Sequence, residues 1–216
     1  MTVPFRTAGD VEAAIPAVVA HLEADRLLAY PTETVYGLGS APTDVALDRL
    51  ATLKGRPASK PFLLLVSGLE MLEQYGLVLT PAASAMAREC WPGPLTLVLR
   101  GGEGRLPDRL RSGGGGIAVR WTSQPAINRL LTVWGRALTS TSANLPGGPT
   151  APGPGAIASL FPDAVRSGDL LVLDGGVLGN VPPSTLVDCT GPTPVLVREG
   201  AIPLTELRRR VGSMAP

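Results

Sequence analysis

The stretch Tyr30-Pro31-Thr32-Glu33-Thr34-Val35-Tyr36-Gly37-Leu38-Gly39 gathers two threonine hydroxyls, a carboxylate and a phenol within five residues, just after the short apolar run Leu27-Leu28-Ala29. Pro31 fixes one backbone angle and biases Tyr30 toward extended geometry. Gly37 and Gly39 allow close approaches that larger residues resist. The stretch reads as a strand entering a rigid polar turn, a common seat for a small ligand. A turn whose threonines only cap backbone amides is the other reading. Glu33 has no role that the sequence assigns.

Three further polar clusters stand at expected strand or helix ends. Lys54-Gly55-Arg56-Pro57-Ala58-Ser59-Lys60 places three cations in seven residues. Cations at a helix C-terminus complement its dipole, but a guanidinium fork beside point charges also suits phosphate or carboxylate. Thr139-Ser140-Thr141-Ser142-Ala143-Asn144 supplies hydroxyls and an amide after a short strand, and such a turn can cradle phosphate oxygens or merely cap itself. Arg120 and Arg198 each end an apolar strand segment. With Lys54 and Arg56 they could form a cationic bowl for a polyanion.

Other chemistries are poorly provided for. The chain has one histidine, His21, and two cysteines, Cys90 and Cys189, far apart and without metal-ligand spacing. That argues against typical zinc sites and histidine-dependent hydrolases, and two buried free thiols are the simpler reading of the cysteines. No GxxxxGK[ST] loop is present, and no GxGxxG follows a strand to open a helix. Gly113 to Gly116 is weak evidence for a phosphate loop. A net charge of +1 gives no global field for nucleic acid. No apolar run approaches the roughly 18 residues of a membrane helix, and Met1 to Asp10 lacks a signal-peptide pattern. A soluble cytoplasmic protein is expected.

Elements must position these clusters, and 216 residues can bury a substantial core. Helices are expected from Asp10, as cap, to about Ala24, and from a Thr43 or Asp44 cap to Lys54. Shorter ones fit Leu69–Tyr75, Thr80–Cys90, Gln124–Val133, Ile157–Leu160 and Glu206–Val211. Strands are expected at Leu27–Tyr30, Phe62–Val66, Leu95–Leu99, Ile117–Arg120, Ala137–Ser140, Leu170–Leu173, Thr185–Asp188 and Val195–Arg198. Helices and strands alternate early and strands cluster late. The expected fold is α/β (α+β): one domain with a twisted, mixed parallel and antiparallel sheet and flanking helices. The 26 glycines and 22 prolines fit many turns, and the periodic apolar segments argue against disorder.

Pro31-Thr32-Glu33-Thr34-Val35-Tyr36-Gly37-Leu38, Lys54-Gly55-Arg56-Pro57, Trp91-Pro92-Gly93-Pro94-Leu95-Thr96, Ala118-Val119-Arg120, Ser142-Ala143-Asn144 and Val197-Arg198-Glu199-Gly200 occur in one order. As an ordered set they resemble the YrdC/Sua5 family of threonylcarbamoyl-AMP synthases, over roughly Val18 to Leu207. The resemblance implies a single YrdC-like domain, with its core at about residues 10–208 and a concave cationic cleft. It points to the short form of the family, without the extra C-terminal domain. It implies a nucleotidyltransferase that makes L-threonylcarbamoyladenylate and pyrophosphate from L-threonine, bicarbonate or CO2, and ATP. The product would serve threonylcarbamoyl (t6A) modification of adenosine 37 in tRNA. Mg²⁺ is expected to arrive with ATP, and tRNA and a threonylcarbamoyl-transferase complex are candidate partners.

Carried over residue by residue, the resemblance assigns Lys54 and Arg56 to catalysis. It places Lys54, Arg56, Lys60, Ser142, Asn144, Thr150 and Arg198 around ATP, and Thr32, Thr34, Arg120, Ser140 and Ser184 around L-threonine. Lys60 stands where many relatives have asparagine, and Leu65 where some carry a histidine near the amino acid. A non-catalytic RNA-binding or ribosome-associated YrdC-like module is the alternative, and the complete Lys54, Arg56, Ser142 and Asn144 set favours the enzyme. A hydrogenase-maturation carbamoyl-transfer domain fits less well, since those chains are longer and rich in cysteine and histidine.

Overall fold

The computed structural model describes residues 1–57, 60–179 and 181–211. In chain order the strands are β1 (Thr2–Pro4), β2 (Leu27–Tyr30), β3 (Gly37–Gly39), β4 (Leu63–Val66), β5 (Leu77–Val78), β6 (Leu95–Gly101), β7 (Ile117–Trp121), β8 (Leu138–Ser142), β9 (Leu170–Asp174), β10 (Thr185–Asp188) and β11 (Val195–Arg198). The helices are α1 (Ala8–Glu23), α2 (Asp44–Lys54), α3 (Leu69–Gln74), α4 (Pro81–Cys90), α5 (Pro125–Trp134), α6 (Pro154–Leu160), α7 (Pro162–Ser167) and α8 (Leu204–Val211). The strands form one mixed sheet in the order β1-β9-β2-β3-β8-β4-β7-β6-β10-β11, with β5 on β6. Among the described residues, no helix is long and apolar enough to cross a membrane.

Helix starts follow the chain's side-chain chemistry. Thr7, not Asp10, caps α1: its hydroxyl accepts from the Asp10 amide, while the Asp10 carboxylate accepts from the Thr7 amide. Asp10 is thus the reciprocal partner in a capping box, which places the helix start before it. Thr43 caps α2 as expected, and Gly55 ends it in the left-handed conformation that glycine adopts most readily.

Alternation along the strands sends successive side chains to opposite faces. On one face Leu64, Leu95, Leu97, Val119 and Val187 join a core with residues of α2, α3, α4, α6 and α8. On the other face α1 and α5 pack over Leu28, Tyr30, Leu65, Leu138 and Leu171. Thr96, Val98, Ala118, Ser140, Leu186 and Asp188 instead line a cleft. Register places them side by side: Leu186 beside Thr96, Asp188 beside Val98, Val98 beside Ala118.

The expected polar turn after Tyr30 is shorter than its sequence suggests, because Gly37–Gly39 pairs with β2 on one side and β8 on the other. The glycines make room for Tyr30, whose ring lies across β3 so that its hydroxyl donates to the Thr139 carbonyl at 3.0 Å. A Cβ on Gly37 would sit 2.9 Å from that ring, and one on Gly39 would sit 1.9 Å from the Thr139 carbonyl oxygen. Gly39→Ala is therefore expected to cost about 3 kcal/mol by overpacking. That is about 10 °C in Tm for a chain of this size, read from a thermal melt; an unchanged Tm would contradict this close approach.

Candidate functional site

Five parts of the chain wall a cleft of about 630 Å³. The β2–β3 turn contributes Thr32, Thr34 and Val35, and the segment after α2 contributes Arg56, Lys60 and Pro61. Leu63, Thr96, Val98, Ala118 and Arg120 come from β4, β6 and β7. Ser140, Thr141, Ser142 and Asn144 come from β8 and its exit, followed by Thr150. Ser184, Leu186, Asp188, Val197 and Arg198 close the far side.

Eleven of the twelve residues expected at the site face this cleft: Thr32, Thr34, Arg56, Lys60, Arg120, Ser140, Ser142, Asn144, Thr150, Ser184 and Arg198. Lys54 does not. It is buried at the end of α2, and its ammonium donates to the Ser142 carbonyl at 2.8 Å, to Asn144 Oδ1 at 2.7 Å and to the Asn144 carbonyl. Burial first, and then the neighbouring Arg56 charge, pulls its pKa down to about 8. Lys54 thus builds the β8 exit turn from behind. Ser142 Oγ also donates to Asn144 Oδ1 at 2.6 Å, and Asn144 Nδ2 donates to the Gly148 carbonyl at 2.8 Å.

Thr32 is likewise spent on the turn. Its hydroxyl donates to the Val35 carbonyl at 2.6 Å and accepts from the Thr34 and Val35 amides. The Thr34 hydroxyl lies 3.1 Å from that of Thr32, with Arg120 Nη1 3.5 Å away. Arg56 is clamped in place: Nε donates to the Lys60 carbonyl at 2.8 Å, Nη2 to the Pro61 carbonyl at 2.8 Å, and Nη1 to Thr141 Oγ1 at 3.2 Å. Its guanidinium lies 5.0 Å from the centre of the Phe62 ring. Arg198 donates to the Ser184 carbonyl at 2.8 Å, and the Ser184 hydroxyl lies 2.8 Å from Thr96 Oγ1.

The cleft is cationic and under electrostatic stress. Burial lowers the pKa of Arg56, and burial followed by the Arg120 charge lowers that of Arg198. An anion between Arg56, Lys60, Arg120 and Arg198 would relieve that cost. Of the carboxylates nearby, Asp188 accepts from the Thr190 amide and hydroxyl, and Glu33 accepts from Arg120. Among the described residues, no group of three or more histidine, cysteine, aspartate or glutamate side chains could hold a metal ion. Cys90 and Cys189 are free and buried, as expected. Leu65 is fully buried under the α1–α5 layer, so that departure from some relatives leaves an apolar contact there.

Thr96 and Asp188 were not expected at the site, and Thr141 was expected there only as a member of the Thr139–Asn144 cluster. Thr96 lies in the Trp91–Thr96 motif; alternation along β6 puts it on the same face as Val98, which register sets beside Ala118 and Asp188. Ala58 and Ser59, within the expected cationic cluster, lie outside the described residues.

Fold and site define a mixed α/β protein with a cationic cleft lined by strands of the sheet. The Sua5/YciO/YrdC family model, described as "Telomere recombination", matches residues 20–200. A threonylcarbamoyl-AMP synthase of Thiobacillus denitrificans is 38% identical over 183 residues, covering 84% of this chain and 94% of that one. One of Pyrococcus abyssi is 34% identical over 190 residues, covering 88% of this chain and 54% of that one. The crystal structure of P. abyssi Sua5 complexed with L-threonine superposes with a TM-score of 0.87 at 32% identity, covering 99% of this chain and 61% of that one. The chain thus spans about half the length of the P. abyssi relative and nearly all of the T. denitrificans one. It belongs to the Sua5/YciO/YrdC family.

Proposed function

We propose that the chain is a threonylcarbamoyl-AMP synthase, a nucleotidyltransferase that joins L-threonine, bicarbonate or CO2, and ATP. The observation that carries this reading is one cleft with two chemically distinct walls. Thr34, Ser140, Ser184 and Arg120 offer hydroxyls and a guanidinium suited to an amino acid. Arg56, Lys60, Ser142, Asn144, Thr150 and Arg198 offer cations and small polar groups suited to a nucleotide. Thr32 braces the turn within the cleft wall, and Lys54 supports the β8 exit from behind.

The reaction asks the site for little covalent chemistry. A threonylcarbamate oxygen attacks the α-phosphorus in line, and pyrophosphate leaves with the electron pair of the broken P–O bond. Both reactants are anionic. Holding them together against their repulsion, with donors already oriented toward the phosphates, supplies much of the rate. No protein nucleophile is needed. Mg²⁺ enters with ATP as its counter-ion, since that ion keeps most of its waters and binds substrate phosphates. The labile adenylate would pass, in the cytoplasm, to a transferase that modifies adenosine 37 of tRNA.

Purified protein given ATP, L-threonine and bicarbonate is expected to release pyrophosphate only when all three are present. Absent release, or release indifferent to threonine, would overturn the synthase reading and favour a non-catalytic module.

A further inference from the structure

Glu33 lies in the centre of the β2–β3 turn, yet its side chain does not line the cleft. Its carboxylate reaches across to the end of β7 and the start of α5. Oε2 accepts from Arg120 Nη2 at 2.8 Å and from Thr122 Oγ1 at 2.5 Å, and Oε1 accepts from the Ser123 amide at 3.3 Å. The Arg120 and Glu33 side chains are 5% and 16% exposed, so this is a largely buried pair. Thr122 in turn accepts from the Gln124 amide, which ties the cluster to the cap of α5. Glu33 therefore fastens the turn that carries Thr34 to the strand that carries Arg120, 87 residues further along the chain.

Arg120 has donors to spare. Nη1 makes only the long contact to Thr34, and the buried Nε has no partner among the described residues. A buried guanidinium is tolerated when it is paired and held in good geometry. A carboxylate behind it meets both needs and leaves the rest of its fork to serve a ligand.

We infer that Glu33 is a positioning residue: it neutralises Arg120 and holds it beside Thr34, so that the two together receive the carboxylate of the amino-acid substrate. This rests on the proposed function, in which Arg120 and Thr34 belong to the threonine wall. The inference predicts a much larger effect on threonine than on ATP, because Arg56, Ser142, Asn144 and Arg198 make no hydrogen bond to Glu33 or to Arg120 and, of these four, Arg198 alone feels the Arg120 charge.

The test is calorimetric binding of L-threonine and, separately, of ATP with Mg²⁺, to wild type, Glu33→Ala and Glu33→Gln. Wild type is expected to bind both. Glu33→Ala is expected to weaken threonine binding at least 30-fold and to leave ATP binding within about threefold. Glu33→Gln keeps an acceptor of the same reach, so it is expected to lose only about three- to tenfold for threonine, with ATP unchanged. If the alanine variant does not fold, the glutamine variant carries the test alone. Unchanged threonine affinity, or equal losses for threonine and ATP, would overturn the positioning role. Failure of wild type to bind threonine would instead overturn the synthase reading.

Discussion

Arg56→Ala is expected to lower kcat/KM for ATP about a thousandfold while leaving the folded circular dichroism spectrum intact. A factor of that size corresponds to about 4 kcal/mol of lost transition-state stabilisation, in the range seen when one oriented donor is removed from an anionic transition state. The guanidinium is already aimed, because two of its nitrogens are held by the Lys60 and Pro61 carbonyls and a third by Thr141. Little reorganisation remains to be done when substrate arrives. The same bonds give the arginine a structural share, and a Tm loss of a few degrees should accompany the change. Arg56→Lys keeps the charge but not the planar fork, and should recover no more than about tenfold. Loss of the folded spectrum in Arg56→Ala would mean that the arginine holds the fold and not the substrate.

Lys54→Met is expected to act in the opposite proportion, with stability suffering first. The Asn144 carbonyl would lose its donor inside the protein, while the Ser142 carbonyl keeps the Asn144 amide and Asn144 Oδ1 keeps Ser142 Oγ. Unsatisfied buried groups cost about 1–3 kcal/mol each. Removing the cost of burying the ammonium offsets part of that. A net loss of about 2 kcal/mol, or about 4–8 °C in Tm, is the expected result. Activity should fall as well, since the Ser142–Asn144 turn would lose its support.

The titration of Lys54 sharpens this test. Its folded pKa of about 8 lies below the ordinary lysine value of 10.5. Between those values the unfolded chain binds more protons than the folded one, so the Lys54 contribution to stability rises with pH across that window. Activity should move the other way. Above about pH 8 the neutral amine has two N–H donors for three acceptors, and the turn loosens. A pH profile in which activity declines above 8 without a matching fall in Tm, and in which Lys54→Met removes that decline, is the expected outcome. Parallel loss of activity and Tm in the wild type would contradict it.

Much of this arrangement was legible in the chain. Helix caps, the alternation of buried strands and the clustering of hydroxyls and cations at strand ends each have a local physical cause, and the cleft gathers most of the residues they marked. Lys54 shows where local reasoning stops. At the last turn of α2 its charge fits the helix dipole equally well from the surface, and only contacts 88 and 90 residues away turn it inward. β3 was hidden for a similar reason. Gly-Leu-Gly has poor intrinsic strand preference, and its pairing depends on Tyr30 filling the space that the glycines leave. β1 and β5 are too short to show a pattern, and both are made by pairing with β9 and β6. α7 is six residues long and follows α6 directly, with only Phe161 between them. Glu33 had no visible purpose because its partner, Arg120, meets it only in the folded sheet.

The central claim is that one cleft holds an amino acid and a nucleotide on opposite walls. A crystal structure of this chain with L-threonine and a non-hydrolysable ATP analogue tests it most directly. The account predicts the threonine carboxylate within hydrogen-bonding distance of Arg120 and Thr34, with Glu33 still paired behind the arginine. It predicts the phosphates against Arg56 and the Ser142–Asn144 turn, with the α-phosphorus facing the threonine amine. Nucleotide bound outside the cleft, or threonine on the Arg56 wall, would contradict it.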